Sequence, residues 1–147
     1  MAGRGGMKET AGFSLIELLI VTVIVAILST LALPAYVGFI RESRRSDATI
    51  ALMELAAAAE RHYATNSTFS GVTPATLLGR DFSEDGHYRL AMTVSEEGQG
   101  YTATATPRDE GSQTNDRCYR YLLDSVGQRG NESKSGAVIS STPCWPE

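Results

Sequence analysis

Gly12-Phe13-Ser14-Leu15-Ile16-Glu17-Leu18-Leu19-Ile20 opens an apolar stretch that holds a single carboxylate, Glu17. From Leu18 to Ile40 no charged residue follows, and up to Leu33 the run is almost wholly aliphatic. Such a run is long enough to cross a bilayer as a helix, which takes about 20 apolar residues. A lone acid inside it costs on the order of 2.5–3.5 kcal/mol at the bilayer centre, so a chain that keeps one is expected to partner it. The apolar helix itself offers no counter-charge, and the partner is expected on another subunit.

The rest of the chain bounds the architecture. With 147 residues, an anchor plus one small domain is the natural division. The formal net charge is −4, and it would be −5 without residues 1–12, which carry Arg4, Lys8 and Glu9. Beyond residue 64 there are seven basic and eleven acidic residues, a balance that argues against a dedicated nucleic-acid binder. So small a domain often needs a staple. Cys118 and Cys144 are the obvious pair, because a membrane segment upstream places them outside the cytosol, where disulfides persist. On the chain-entropy model that bridge is worth about 3.5 kcal/mol. The alternatives, two free thiols or a metal pair, have neither CxxC spacing nor a neighbouring histidine.

Two other readings of the N-terminus compete. Arg4 and Lys8 supply the basic start of a secretory signal cut near residue 35, yet Leu31-Ala32-Leu33 is a poor cleavage site and Glu17 is awkward in a disposable core. An unprocessed permanent anchor is the second. Arg41, Arg44 and Arg45 follow the helix, against Arg4 and Lys8 before it, so the positive-inside rule alone does not favour the N-terminus inside.

Beyond the apolar run the pattern changes. Ala48, Ala51, Leu52, Leu55, Ala59 and Tyr63 step by three and four, a helical stripe with Glu54, Glu60 and Arg61 off it. One helix from about Phe13 to Ala64 is expected, roughly 78 Å long at 1.5 Å per residue. Residues 13–40 would form its lipid- or self-packing part and residues 41–64 an amphipathic part that carries a head. Pro34 removes a helical hydrogen bond and is expected to kink or locally unwind the helix. Arg41, Arg44 and Arg45 read as a solvated or headgroup-facing ring.

The head, residues 65–147, is expected to begin with a long loop from Thr65 to Gly86. Tyr88–Val94 and Tyr101–Thr106 then alternate with period two around a glycine-bearing turn, an antiparallel hairpin. Cys118–Asp124 reads as a third strand and Ala137–Ser140 as a short fourth. Laying this sheet over the helical stripe buries both apolar faces and gives an α+β head.

The segment from Gly12 to Tyr36 closely resembles the N-terminus of type IV prepilins, with its cleavage and methylation motif. The order of helix, loop, antiparallel meander and C-terminal cysteine loop is similar to the type IVa pilin fold. Tyr101–Pro107, Leu123–Arg129 and the ending Cys144-Trp145 resemble PilE-like, often minor, pilins. The resemblance implies that a prepilin peptidase cuts between Gly12 and Phe13, that Phe13 is N-methylated, and that Glu17 pairs with the N-terminal amine of a neighbouring subunit. Pro34 matches the proline of the family's helix. Met7–Gly12 looks like a short prepilin leader, so translation starting at Met7 is one reading. The segment between the two cysteines is implied to be an exposed surface loop.

Enzyme chemistry finds no support: no HExxH, GxSxG, P-loop or paired CxxC occurs. Neither a cofactor nor a metal is expected. Asp81–Gly86 begins like a calcium loop, but its twelfth position is Met92 where a bidentate Glu is required. His62 and His87 read as surface or packing residues. Asn66-Ser67-Thr68 and Asn131-Glu132-Ser133 match the glycosylation sequon.

The resemblance therefore implies a structural subunit of a type IV pilus. Its expected partners are other pilin subunits, the prepilin peptidase, the inner-membrane assembly machinery and the membrane itself. The subunit would sit N-in in the inner membrane with a periplasmic head, then in an extracellular filament of the kind that serves adhesion, twitching or DNA import. The alternatives are a type II secretion pseudopilin, and a DNA-uptake pilin using head residues such as Arg129 and Lys134. The acidic head disfavours nucleic acid as a partner.

Overall fold

The computed structural model describes residues 12–108, 111–140, 142, 144 and 145. The leader expected over residues 1–12 therefore lies outside the described residues as far as residue 11. The described chain divides into two compact units that meet in sequence between Tyr36 and Val37. The first helix, α1, runs from Leu15 to Asn66 and contributes to both.

In the N-terminal unit every large apolar side chain from Phe13 to Tyr36 is exposed, Phe13 by 86% and Leu31 by 74%. The helix is long and apolar enough to cross a membrane. Thr22, Ser29 and Thr30 return their hydroxyls to the carbonyls of Leu19, Val25 and Ile27, which satisfies these donors within the helix. Pro34 lies within α1, with helical backbone on either side.

The C-terminal unit is a five-stranded antiparallel meander packed on the second part of α1. Its strands are β1 (Tyr88–Val94), β2 (Tyr101–Pro107), β3 (Arg120–Asp124), β4 (Arg129–Glu132) and β5 (Val138–Ile139), hydrogen-bonded in that order. The expected helical stripe is the one that packs inward: Ala48, Ala51, Leu52, Leu55 and Ala59 are at most 2% exposed, and Tyr63 is half-buried against the same core. They meet Tyr88, Leu90, Tyr101, Ala103, Ala105, Tyr121 and Leu123 from the inner face of the sheet. Ala103 and Ala105 lie on β2 opposite a helix rich in alanine, and short side chains on both surfaces let the two layers close.

Three expectations are corrected. The stretch from Thr65 to Gly86 is not simply loop, since α2 (Pro74–Leu78) forms within it. Thr73 caps α2 by accepting from the Thr76 amide, Pro74 takes a position where no amide is needed, and Gly79 closes the helix at φ +72°. The sheet gains β4, which pairs Arg129–Glu132 with β3 in the register Leu122 to Gly130. And the stretch between the cysteines is not an exposed loop: it supplies β3, β4 and β5 and buries Tyr121, Leu123 and Asn131. Cys118 and Cys144 are bridged, as expected.

Candidate functional site

The processing and assembly segment lies at the start of the N-terminal unit. Gly12 has open space where a Cβ would stand, and Phe13 and Leu15 are almost fully exposed. Glu17 falls in the first turn of α1, where the positive end of the helix dipole favours a carboxylate. No basic residue shares that turn, and the flanking side chains Ile16, Leu18, Leu19 and Ile20 are apolar and exposed. Chemically this is a greasy rod with one acid at its tip.

In the head, α1 anchors two loops through charge. Asp47, almost wholly buried, accepts from the Ser83 hydroxyl at 2.6 Å, the Asp85 amide at 3.2 Å, the His87 amide at 3.3 Å and the His87 ring at 3.2 Å. Ser83 Oγ in turn accepts from the Tyr88 amide, so the clamp sets the start of β1. Asp47, Asp85 and His87 bring their ligand atoms within 4.8 Å of one another. A carboxylate has about four acceptor positions, and those of Asp47 are taken by this loop. The trio is a structural staple, and His87, expected on the surface or in packing, is part of it.

The second anchor corrects the arginine ring. Arg45 is not solvated: it makes a two-point ion pair with Asp116, whose side chain is 2% exposed. This hydrogen-bonded pairing holds the Arg45 guanidinium charged by raising its pKa further, against the opposing effect of burial. Gln113 donates to the Tyr88 hydroxyl at 2.8 Å and to the Arg41 carbonyl at 3.2 Å, closing the same corner.

Five other head cations sort into two groups. Arg80 pairs with Glu54 and Glu84, and Arg120 with Glu132 at 2.8 Å. Arg89 and Arg108 instead stack on one ring, their guanidinium carbons 5.1 and 4.8 Å from the Phe82 centroid, and Arg129 lies 5.3 Å from the Trp145 centroid. Sequence reasoning singled out Arg129 and passed over Arg89 and Arg108, because Phe82 and Arg108 are far apart in the chain and only the sheet register joins them.

Comparison with known proteins agrees with this architecture. Residues 7–33 match the model of the prokaryotic N-terminal methylation motif. The chain is 34% identical over 102 residues to the fimbrial protein EcpC of Eikenella corrodens, an alignment spanning 68% of this chain and 64% of that relative. A type IV pilin structure from Shewanella oneidensis shares the fold, with a TM-score of 0.53 at 24% identity, covering 73% of this chain and 99% of that one. Residues 34–122, more than half of the chain, match the family model described as type IV minor pilin ComP, DNA uptake sequence receptor. The chain belongs to that ComP family of type IV minor pilins.

Proposed function

We propose that the protein is a subunit of a type IV pilus, made as a precursor, cut between Gly12 and Phe13 by a prepilin peptidase, methylated on Phe13 and packed into a filament through residues 13–40. The observation that carries this reading is the exposed apolar surface of α1 from Leu15 to Tyr36 with Glu17 as its only charge. A surface of that size needs lipid before assembly and copies of itself or of related pilins afterwards. Glu17 in one subunit then meets the new N-terminal amine of the next. That contact is head-to-tail and generates an open filament. Pro34 is the point at which the helix adapts between membrane and filament. Assembly takes place at the inner membrane, with the head in the periplasm.

Glu17→Ala is expected to insert in the membrane and be processed normally yet fail to assemble, read as loss of sheared filaments with unchanged membrane content. Normal filaments from that variant would remove the pairing. Replacing Gly12 should leave an unshifted precursor band, and N-terminal sequencing of the mature chain should begin at methylated Phe13.

A second reading, receptor for DNA on the same filament, is favoured by the family description and by Arg89 and Arg108, which no carboxylate neutralises among the described residues. It reverses the weight that the acidic composition gave against nucleic acid, since binding depends on where the cations sit more than on their total. Salt-sensitive retention of DNA by the purified protein tests it.

A further inference from the structure

We infer that Arg89 and Arg108, stacked together on Phe82, form a phosphodiester contact for DNA; the inference rests on the receptor reading above and gives it a location. The two guanidinium carbons lie 5.1 and 4.8 Å from one ring centroid, hence less than 10 Å apart. Two like charges at that separation repel, and what holds them here is the electron-rich face of the ring. Backbone contacts fix the frame. Arg89 pairs with Thr106 across the β1–β2 ladder, Phe82 bridges to Arg89, and the Arg108 amide donates to the His87 carbonyl at 3.1 Å. Arg108 Nη1 also donates to the Gly86 carbonyl at 3.4 Å.

Orienting an arginine by stacking differs chemically from orienting it by an ion pair. The pair with Asp116 uses both the charge and the donor fork of Arg45, and Glu132 takes the charge and one donor of Arg120. Stacking restrains the side chain and leaves in-plane N–H donors for an anion, on Arg108 those other than the Nη1 donor given to Gly86, and the guanidinium fork matches phosphate. Both Arg89 and Arg108 are exposed. Arg108 also lines a cleft of about 310 Å³, with Arg44 and His87 among its other walls. Asp85 lines that cleft as well, and Asp81 and Glu84 share the loop with Phe82, so the field is local and covers about two phosphates instead of a broad groove.

The family match sharpens the choice of surface. Residues 34–122 contain Arg44, Phe82, His87, Arg89 and Arg108, whereas Arg129 and Lys134 lie beyond them. The stack, and not the C-terminal basic pair, is the phosphate contact.

The test uses the full-length protein in detergent micelles, with fluorescence anisotropy of a double-stranded oligonucleotide across a sodium chloride series. Arg89→Gln with Arg108→Gln should lower affinity at least tenfold, and should flatten the log–log salt slope by about 1.8, for two lost phosphate contacts. Each single change should flatten it by about 0.9, which keeps the measurement decisive if the double variant folds poorly. Phe82→Leu keeps both charges and should weaken binding a few-fold with little change in slope. Arg129→Gln with Lys134→Gln should stay within twofold of wild type. Undiminished binding by the Arg89 and Arg108 variants, or a loss confined to the Arg129 and Lys134 pair, would overturn the contact while leaving the receptor reading intact. Failure of the wild type to bind DNA at low salt would remove the receptor reading itself and the contact with it.

Discussion

Arg45 and Asp116, 71 residues apart in the chain, meet through two hydrogen bonds of 2.8 and 2.7 Å and tie α1 to the segment that enters the disulfide. Asp116 Oδ1 also accepts from the Cys118 amide at 3.3 Å, so one carboxylate positions both the helix and the bridge. Asp116→Ala would leave a largely buried guanidinium without its counter-charge, and removing one partner of a buried pair costs about 3–5 kcal/mol. We expect a loss of about 3 kcal/mol, read as a lower urea midpoint with unchanged m. The double change Arg45→Met with Asp116→Leu should recover much of it, since an apolar pair leaves no charge stranded. A double variant no more stable than Asp116→Ala would show that the pair acts through geometry other than charge compensation.

The two kinds of anchor differ in how visible they are from sequence. Ala48, Ala51, Leu52, Leu55 and Ala59 declare themselves by period, as do the alternating residues of β1 and β2, because burial is imposed position by position. The segment around Gly12 and Glu17 is legible for another reason, since a charge inside a greasy run is costly and therefore informative. By contrast β4, with the sequence Arg-Gly-Asn-Glu, has no apolar alternation. It exists because Asp124 Oδ1 accepts from the Val126 and Gln128 amides and turns the chain back onto β3. Arg45–Asp116, the Asp47 clamp and the Arg89–Phe82–Arg108 stack are joined only by tertiary placement, and no local pattern marks them.

Alkaline pH should unfold the head through its tyrosines. Burial is the main cause that pushes Tyr88 up to about 12 and Tyr101 up to about 12, Glu60 adding to the shift of Tyr101, and burial also raises Tyr121 well above the usual phenol range. An unfolded tyrosine ionises near pH 10. The folded state therefore keeps protons that the unfolded state has lost, so stability is full below about pH 10 and falls as pH rises toward 12. Absorbance titration at 295 nm should show these phenols ionising late and together with loss of circular dichroism. Complete tyrosine ionisation near pH 10 with the fold intact would contradict the burial.

Reducing the disulfide should loosen the C-terminal half of the sheet more than the hairpin. The bridge encloses β3, β4 and β5, and both sulfurs are buried, so Cys118→Ala with Cys144→Ala is the cleaner variant than serine. The expected loss is up to about 3.5 kcal/mol. Trp145, the chain's one tryptophan, sits 5.8 Å from Tyr121 in an edge contact and donates its indole N–H to the Gly130 carbonyl at 3.2 Å. Its emission should move to the red on reduction, before any loss of helical signal. Simultaneous loss of both would mean that the head unfolds as one unit when the bridge opens.

Two glycines in left-handed conformations should respond differently to alanine, and the difference isolates a packing contribution. Gly98, at φ +67°, closes the β1–β2 turn, and its carbonyl accepts from the Phe69 amide at 2.8 Å and from the Thr68 hydroxyl at 3.2 Å. A Cβ there would collide with the hydroxyls of Thr68 and Ser70. Gly127, at φ +80°, closes the β3–β4 turn with nothing near the same position. Gly127→Ala should therefore cost only the backbone conformation, about 1–2 kcal/mol. Gly98→Ala carries that cost and must also displace the segment that sets Phe69 against Tyr63 at 4.6 Å and Tyr101 at 4.9 Å, a shift of the overpacking kind worth about 1–3 kcal/mol more. Paired urea melts of the two variants measure the difference. Equal losses would mean that the segment from Thr68 to Ser70 yields freely and that the aromatic trio does not depend on the turn to hold it in place.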